Sequence, residues 1–269
     1  MKKRTLRRIA TLVLAVVFVA STAAVVKQQM DLRAAERAYE AAAAAALIEV
    51  EVETVPEVKE PQKVGLPQLE AFDLSEDNAF LATVDLAALR ETNPDVLGWI
   101  YVPNSVISYP LMRSHDNEDY LYHTWDGTPN VAGSIFLEQY NRPDFTNFHT
   151  LIYGHNMADG SMFGELLKYC YQDVVDNYPH VYIALDDVVL RYEIFSVYTA
   201  DINSDTYRLY FADDAAKESA IAFYKQQSEV VSDVTPTAED HILTLSTCAG
   251  ARQDVRWVLQ TVLTGTLPR

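Results

Sequence analysis

Between residues 96 and 264 the chain breaks into roughly eight short runs of alternating or β-branched residues, and this division constrains the fold more than any other feature. The runs fall at 96–102, 106–112, 132–137, 150–153, 181–185, 188–200, 242–248 and 255–264, separated by turn residues such as Pro103, Asn104 and Ser105 or Asp186 and Asp187. Short strands at close spacing, with few long helices among them, point to a closed or nearly closed β-barrel. Helices are expected at 85–91, capped by Asp85 and stopped before Pro94, at 161–171, capped by Ser161, and at 213–230. The last of these carries Ala216, Ala220, Ile221 and Tyr224 at helical spacing and lies between two strands, so it must pack outside the barrel. A hydrophobic content of 49% is enough to fill such a core.

Before the barrel the chain is of a different kind. Residues 9–26 form an 18-residue run without a charge, preceded by Lys2, Lys3, Arg4, Arg7 and Arg8. That length spans the hydrocarbon layer, and the basic flank places the amino terminus inside and the remainder outside. The small residues from Ala20 to Ala24 would suit a signal-peptide cleavage site, but the run exceeds the roughly 7–15 residues of a usual signal core, which favours a retained anchor. Residues 27–47, rich in Ala, Glu, Gln and Arg, read as a helical stalk. Glu49, Glu51 and Glu53 with prolines at 56, 61 and 67 mark an acidic, extended linker. The expected organisation is a cytoplasmic basic tail at 1–8, an anchor at 9–26, stalk and linker at 27–73 and an exported domain at 74–269, in a single-pass membrane protein. With the five leading basic residues inside, 16 basic residues face 38 acidic ones outside, a net of −22. Such a domain does not bind nucleic acid or an anionic membrane surface electrostatically.

Chemistry concentrates at strand ends. Leu-Thr-Leu-Ser-Thr-Cys-Ala at 243–249 places the Cys248 thiol where a strand gives way to a turn. Arg256 opens the next strand, and a nearby cation lowers a thiol's pKa. His155 follows another strand, with Gly154 before it and a polar loop after it, a setting the other five histidines lack. An imidazole there could exchange a proton with a thiol on a neighbouring strand. Arg256, with its fixed fork, could stabilise an oxyanion; Arg252, in the turn, is the less fixed competitor. The residues alone leave Cys248 open between a small core side chain, a disulfide partner of Cys170 and a nucleophile. A buried, inert Cys170 beside a reactive Cys248 is the expected outcome. No Gly-x-Ser-x-Gly elbow, zinc motif or phosphate-cradling glycine loop is present, so no metal and no cofactor is expected.

Taken together, Thr-Leu-Ser-Thr-Cys at 244–248, Tyr-Gly-His-Asn-Met at 153–157 and the strand containing Arg256 resemble a sortase of class B. The resemblance extends through segments 93–100, 107–110, 116–121, 133–137 and 159–163, and covers roughly residues 75–269. It implies an eight-stranded sortase-type β-barrel with peripheral helices, a membrane anchor, and a cysteine transpeptidase acting at the surface of Gram-positive bacteria. By resemblance, Cys248 is the nucleophile, His155 the general acid/base and Arg256 the oxyanion or substrate stabiliser, with Ser246 and Tyr153 as pocket residues. The implied reaction cleaves a carboxyl-terminal sorting motif of exported proteins through a Cys248 thioester and transfers the acyl group to an amine of the peptidoglycan precursor. The alternatives are a pilin-polymerising sortase using a lysine amine, a hydrolytic cysteine peptidase, or a non-catalytic surface-binding module on the same barrel.

Overall fold

The computed structural model describes residues 2–47, 66, 69, 71–248 and 254–269, the side chains of residues 2–10 excepted. The acidic stretch from Glu49 to Glu53, the prolines at 56, 61 and 67, and the turn holding Ala249, Gly250 and Arg252 lie outside the described residues.

Eight strands close into a barrel, as the spacing of the runs requires. They are β1 (Val96–Tyr101), β2 (Ser108–Arg113), β3 (Ile135–Leu137), β4 (His149–Tyr153), β5 (His180–Ala184), β6 (Val188–Asp201), β7 (Ile242–Cys248) and β8 (Val255–Pro268). Their order around the barrel is β1-β2-β3-β4-β7-β8-β6-β5. Two neighbouring pairs are parallel, β2 with β3 and β4 with β7. A parallel pair needs a long crossover, and the chain between β4 and β7 supplies it with two further strands and two helices.

Alternation divides β7 cleanly. Leu243 and Leu245 point into the main core with Trp99, Ile152 and Leu259, while Ile242 packs with Val258, Val262 and Tyr198 on the other face. Helix α4 (Asp214–Gln227) covers that second face with Ala220 and Tyr224. Its start is fixed as expected, the Asp213 carboxylate accepting the Ala216 N–H at 2.9 Å. Helix α2 (Leu86–Thr92) begins the same way, with Asp85 accepting from Ala88.

Two expectations need correction. The segment expected as a helix at 161–171 is a 3-10 helix over Gly164–Cys170, followed by a separate short helix, α3 (Gln172–Asn177). Ser161 does not cap it, because its hydroxyl donates to Asp159 at 2.7 Å. The backbone then turns back through Met162, at φ 53°, so that the Phe163 N–H reaches the His155 carbonyl at 2.9 Å. An α-helix cannot run through a left-handed residue. Cys170, expected to be buried, is exposed, and neither it nor Cys248 is in a disulfide.

The amino-terminal helix α1 runs without a break over Lys2–Ala46. An 18-residue window in it has mean hydropathy 1.8 and no burial. Its last turns dock on the barrel through Ala35, Tyr39, Ala42 and Ala46, which share one face at alternating steps of four and three and are all buried. The methyl side chains at 42 and 46 let the backbones approach, and the Ala46 carbonyl accepts the Asp85 N–H at 2.9 Å.

Candidate active site

The site forms where β4, β7 and β8 end side by side. In the antiparallel β7–β8 pair Cys248 stands directly opposite Arg256. In the parallel β4–β7 pair Tyr153 stands beside Ser246, with neighbouring strands about 4.8 Å apart. His155 lies two residues past Tyr153, as Cys248 lies two past Ser246. The parallel geometry continues beyond the strand, since the Gly154 N–H donates to the Ser246 carbonyl at 3.2 Å. Alternation puts Ser246 and Cys248 on the same face of β7, the side that α4 covers farther along. The five residues singled out in the sequence thus converge on one corner of the barrel. Arg252 falls outside the described residues, so the structure does not place it.

Hydrogen bonding assigns the imidazole's tautomer. His155 Nε2 lies 2.7 Å from the Leu121 carbonyl oxygen. A carbonyl only accepts, so Nε2 carries the hydrogen and Nδ1 is left to take up and release a proton. Leu121 comes from a 3-10 turn, Asp119–Leu121, in the long connection between β2 and β3. The Asn156 side-chain amide donates to the Cys248 carbonyl at 2.8 Å, tying the loop that carries the histidine to the backbone of the cysteine.

Ser246 is buried, and its hydroxyl lies 3.0 Å from the Tyr207 hydroxyl. Tyr207 belongs to a 3-10 turn, Asp205–Tyr207, in the crossover between β6 and α4. Burial pushes its phenol up to about 12, partly offset by the bond to Ser246 and by the field of Arg256, while Cys248 also lies close enough to act on it. Burial likewise raises the Tyr153 phenol; Glu138 and Tyr207 add to the shift and Arg256 opposes it. Both phenols therefore remain neutral and serve as hydrogen-bond groups rather than bases. Arg256 is the cation common to both surroundings, and its Nη1 also donates to the Val255 carbonyl at 3.2 Å.

Behind the site the same face holds a buried polar chain. His149 Nδ1 donates to the Arg208 carbonyl at 2.7 Å, and its Nε2 lies 2.6 Å from the Thr244 hydroxyl. Thr244 also contacts Gln260 at 2.6 Å, and Gln260 reaches Tyr198, which pairs with Thr206 at 2.9 Å. This chain fastens the 205–208 turn, and with it Tyr207, to the barrel.

Sequence reasoning did not single out Leu121, Asn156 or Tyr207. Asn156 was within reach, being next to the histidine in a motif already noted. Tyr207 carried no signal, and Leu121 none beyond its place in the 116–121 segment of the resemblance, because their positions depend on how two long connections return to the barrel. Among the described residues no group of three or more His, Cys, Asp or Glu side chains is arranged to hold a metal ion.

A family model described as the sortase domain matches residues 100–264. The chain is 36% identical over 164 residues to a sortase B of Listeria monocytogenes, covering 61% of this chain and 67% of that protein. It is 31% identical over 166 residues to a sortase B of Staphylococcus aureus, with the same coverage of 61% and 67%. Among solved structures, a sortase B from B. anthracis superposes with a TM-score of 0.68 at 26% identity, covering 88% of this chain and 99% of that one. A sortase B–substrate complex from Staphylococcus aureus gives 0.63 at 28%, covering 66% and 83%.

Proposed function

The chain belongs to the sortase family of cysteine transpeptidases, in class B, and from that premise we propose that Cys248, His155 and Arg256 carry its reaction at the outer surface of a membrane. The observation that carries this reading is the strand register, which sets a thiol opposite a guanidinium and beside a strand that delivers an imidazole.

In the first half-reaction the Cys248 thiolate attacks the threonine carbonyl carbon of a sorting motif near the carboxyl terminus of an exported protein. The carbonyl electrons move onto oxygen, where the Arg256 guanidinium stabilises the charge. On collapse the peptide C–N bond breaks, and protonated His155 gives its Nδ1 proton to the departing amine. An acyl thioester on Cys248 remains. In the second half an amine attacks the thioester, His155 takes its proton, and the thiolate leaves. Tyr153 and Ser246 line the pocket, with Ser246 held by Tyr207. The amine is that of a peptidoglycan precursor; that a sortase B of Staphylococcus aureus has been solved as a complex with a substrate supports substrate binding on a barrel of this family.

Residues 9–26 of α1 are the anchor, with residues 1–8 inside and the catalytic domain, 74–269, outside. The unburied apolar window and the continuity of α1 into its docked segment support a span here, and the basic residues before it support the orientation. Protection of the first residues from external protease in sealed vesicles, and a mature mass that retains them, are the expected results.

The test of the chemistry is a peptide-library cleavage assay with and without added amines, read by mass spectrometry. Cleavage should require Cys248, with Cys248→Ala inactive and His155→Ala nearly so. Turnover by Cys248→Ala at the wild-type rate would overturn the mechanism. Products that carry added amine indicate transfer, whereas products ending in a free acid whatever amine is present would favour a peptidase. A preference for lysine side-chain amines would favour a pilin-polymerising enzyme.

A further inference from the structure

The segment that holds the candidate catalytic histidine is itself held by the amino-terminal helix. The 114–134 connection between β2 and β3 touches α1 at three points. Trp125 Nε1 donates to the Ala38 carbonyl at 2.7 Å, Asn130 Nδ2 to the Asp31 carbonyl at 2.8 Å, and the Tyr39 hydroxyl to the Gly133 carbonyl at 2.5 Å. Tyr39 is buried at 8% exposure, its ring forms a T-shaped pair with Tyr109 at a centroid separation of 5.1 Å, and its hydroxyl also lies 3.2 Å from Ser134 Oγ.

Gly133 is the joint. It sits at φ +58°, and a Cβ there would stand 2.7 Å from the Leu121 carbonyl oxygen and 2.6 Å from that of Tyr120. The Gly133 Cα therefore packs flush against the carbonyl that accepts from His155 Nε2. The next residue reinforces the fit, since the Ser134 N–H donates to the Tyr120 carbonyl at 2.8 Å and its hydroxyl to the His123 carbonyl at 2.8 Å. The contacts run unbroken from Tyr39 through Gly133 and Leu121 to His155.

We propose that Tyr39 of α1 is a positioning residue for His155, fixing through Gly133 the Leu121 carbonyl that sets the imidazole's tautomer and orientation. An acceptor at Nε2 keeps Nδ1 available as the proton-exchanging nitrogen, and proton transfer depends steeply on where that nitrogen points. Helix α1 then takes part in the chemistry as well as tethering the domain. The proposal rests on His155 being the acid/base residue.

The test uses the full chain in detergent micelles. Tyr39→Phe keeps the ring and its packing and removes only the hydroxyl. Its kcat for the sorting peptide should fall about tenfold with KM within about twofold. Nitrogen NMR of histidine-labelled protein should show His155 as the Nε2–H tautomer in the wild type and as a mixture in Tyr39→Phe. Gly133→Ala, which pushes on the Leu121 carbonyl directly, should shift both readouts the same way; if it fails to fold, Tyr39→Phe alone decides. A Tyr39→Phe enzyme with wild-type kcat and an unchanged His155 tautomer, whatever its melting temperature, would overturn the proposal. His155→Ala run in parallel separates the premise from the proposal. Activity retained there removes the acid/base reading, whereas an inactive His155→Ala beside a normal Tyr39→Phe removes only the role of Tyr39.

Discussion

Directly opposed residues of an antiparallel pair hold their side chains on the same face, so the Cys248–Arg256 register brings thiol and guanidinium together without any help from a loop. Arg252, four residues past the cysteine in sequence, lies outside the described residues. Arg256→Ala should lower kcat/KM by about 100- to 1,000-fold, the range for removal of one oxyanion donor, and Arg252→Ala by far less. Steady-state kinetics on a cleavable sorting peptide would decide, and the reverse ranking would move the oxyanion role to the turn. Lysine at 256 should restore little, since it keeps the charge but loses the planar fork. Tyr207→Phe removes one neutral hydrogen bond, to Ser246, and should cost about 1 kcal/mol of transition-state binding, roughly a fivefold fall in kcat/KM.

At the scale of elements the barrel depends on close approach between strands. Gly98 of β1 faces β5, where a Cβ would stand 2.5 Å from the Ala184 carbonyl oxygen. That oxygen is backbone and cannot swing away, and the β1–β2 register already shifts between Val96 and Gly98. Gly98→Ala should therefore destabilise the domain by about 1–3 kcal/mol, measurable in a urea titration. The strands were legible in the sequence because they are runs of apolar or β-branched residues bounded by turn residues; β7 and β5 agree with it to within a residue. Cys248, Arg256 and His155 were legible because each stands at a strand end. What sequence periodicity could not show lies in long connections. The 3-10 path of Gly164–Cys170, the return of Leu121 to His155 and the placing of Tyr207 beside Ser246 are all set by contacts distant in sequence. The docking of α1 was obscured for another reason, since an alanine-rich face looks the same whether it meets a barrel or water.

The whole molecule answers to acid through the buried His149 and the half-buried His180. Burial lowers His149 to about 4, only partly countered by its bond to the Arg208 carbonyl, and burial with the nearby Arg191 lowers His180. Both are neutral in the fold and more basic when unfolded, so the unfolded chain binds more protons as pH drops below about 6.5. Stability is full above that pH and is lost as pH falls towards 4, on the order of 3 kcal/mol from His149. Asp126 and Asp144, held low by their hydrogen-bond partners, add losses only at more acid pH. A melting temperature that falls steadily from pH 7 to pH 4 is expected; a flat profile would show that His149 is protonated in the fold.

The same scale sets where the site stands. With residues 9–26 as the anchor, the hydrogen bond from Asn130 to the Asp31 carbonyl of α1 comes five residues past Val26. At about 1.5 Å per residue that is roughly 8 Å, less than the width of a helix with its side chains. On the proposed anchor the domain would rest almost on the bilayer, within reach of substrates still tethered to it. Inserting seven helix-forming residues between Lys27 and Gln28 would raise the domain by about 10 Å and turn it close to two full rotations, keeping its facing. Cleavage of a soluble sorting peptide should be unchanged, because Asp31 to Ala46 still docks. Cleavage of a membrane-tethered substrate in the same vesicles should slow markedly. Equal rates on the tethered substrate for the inserted and wild-type chains would show that the height of the site above the bilayer does not govern access.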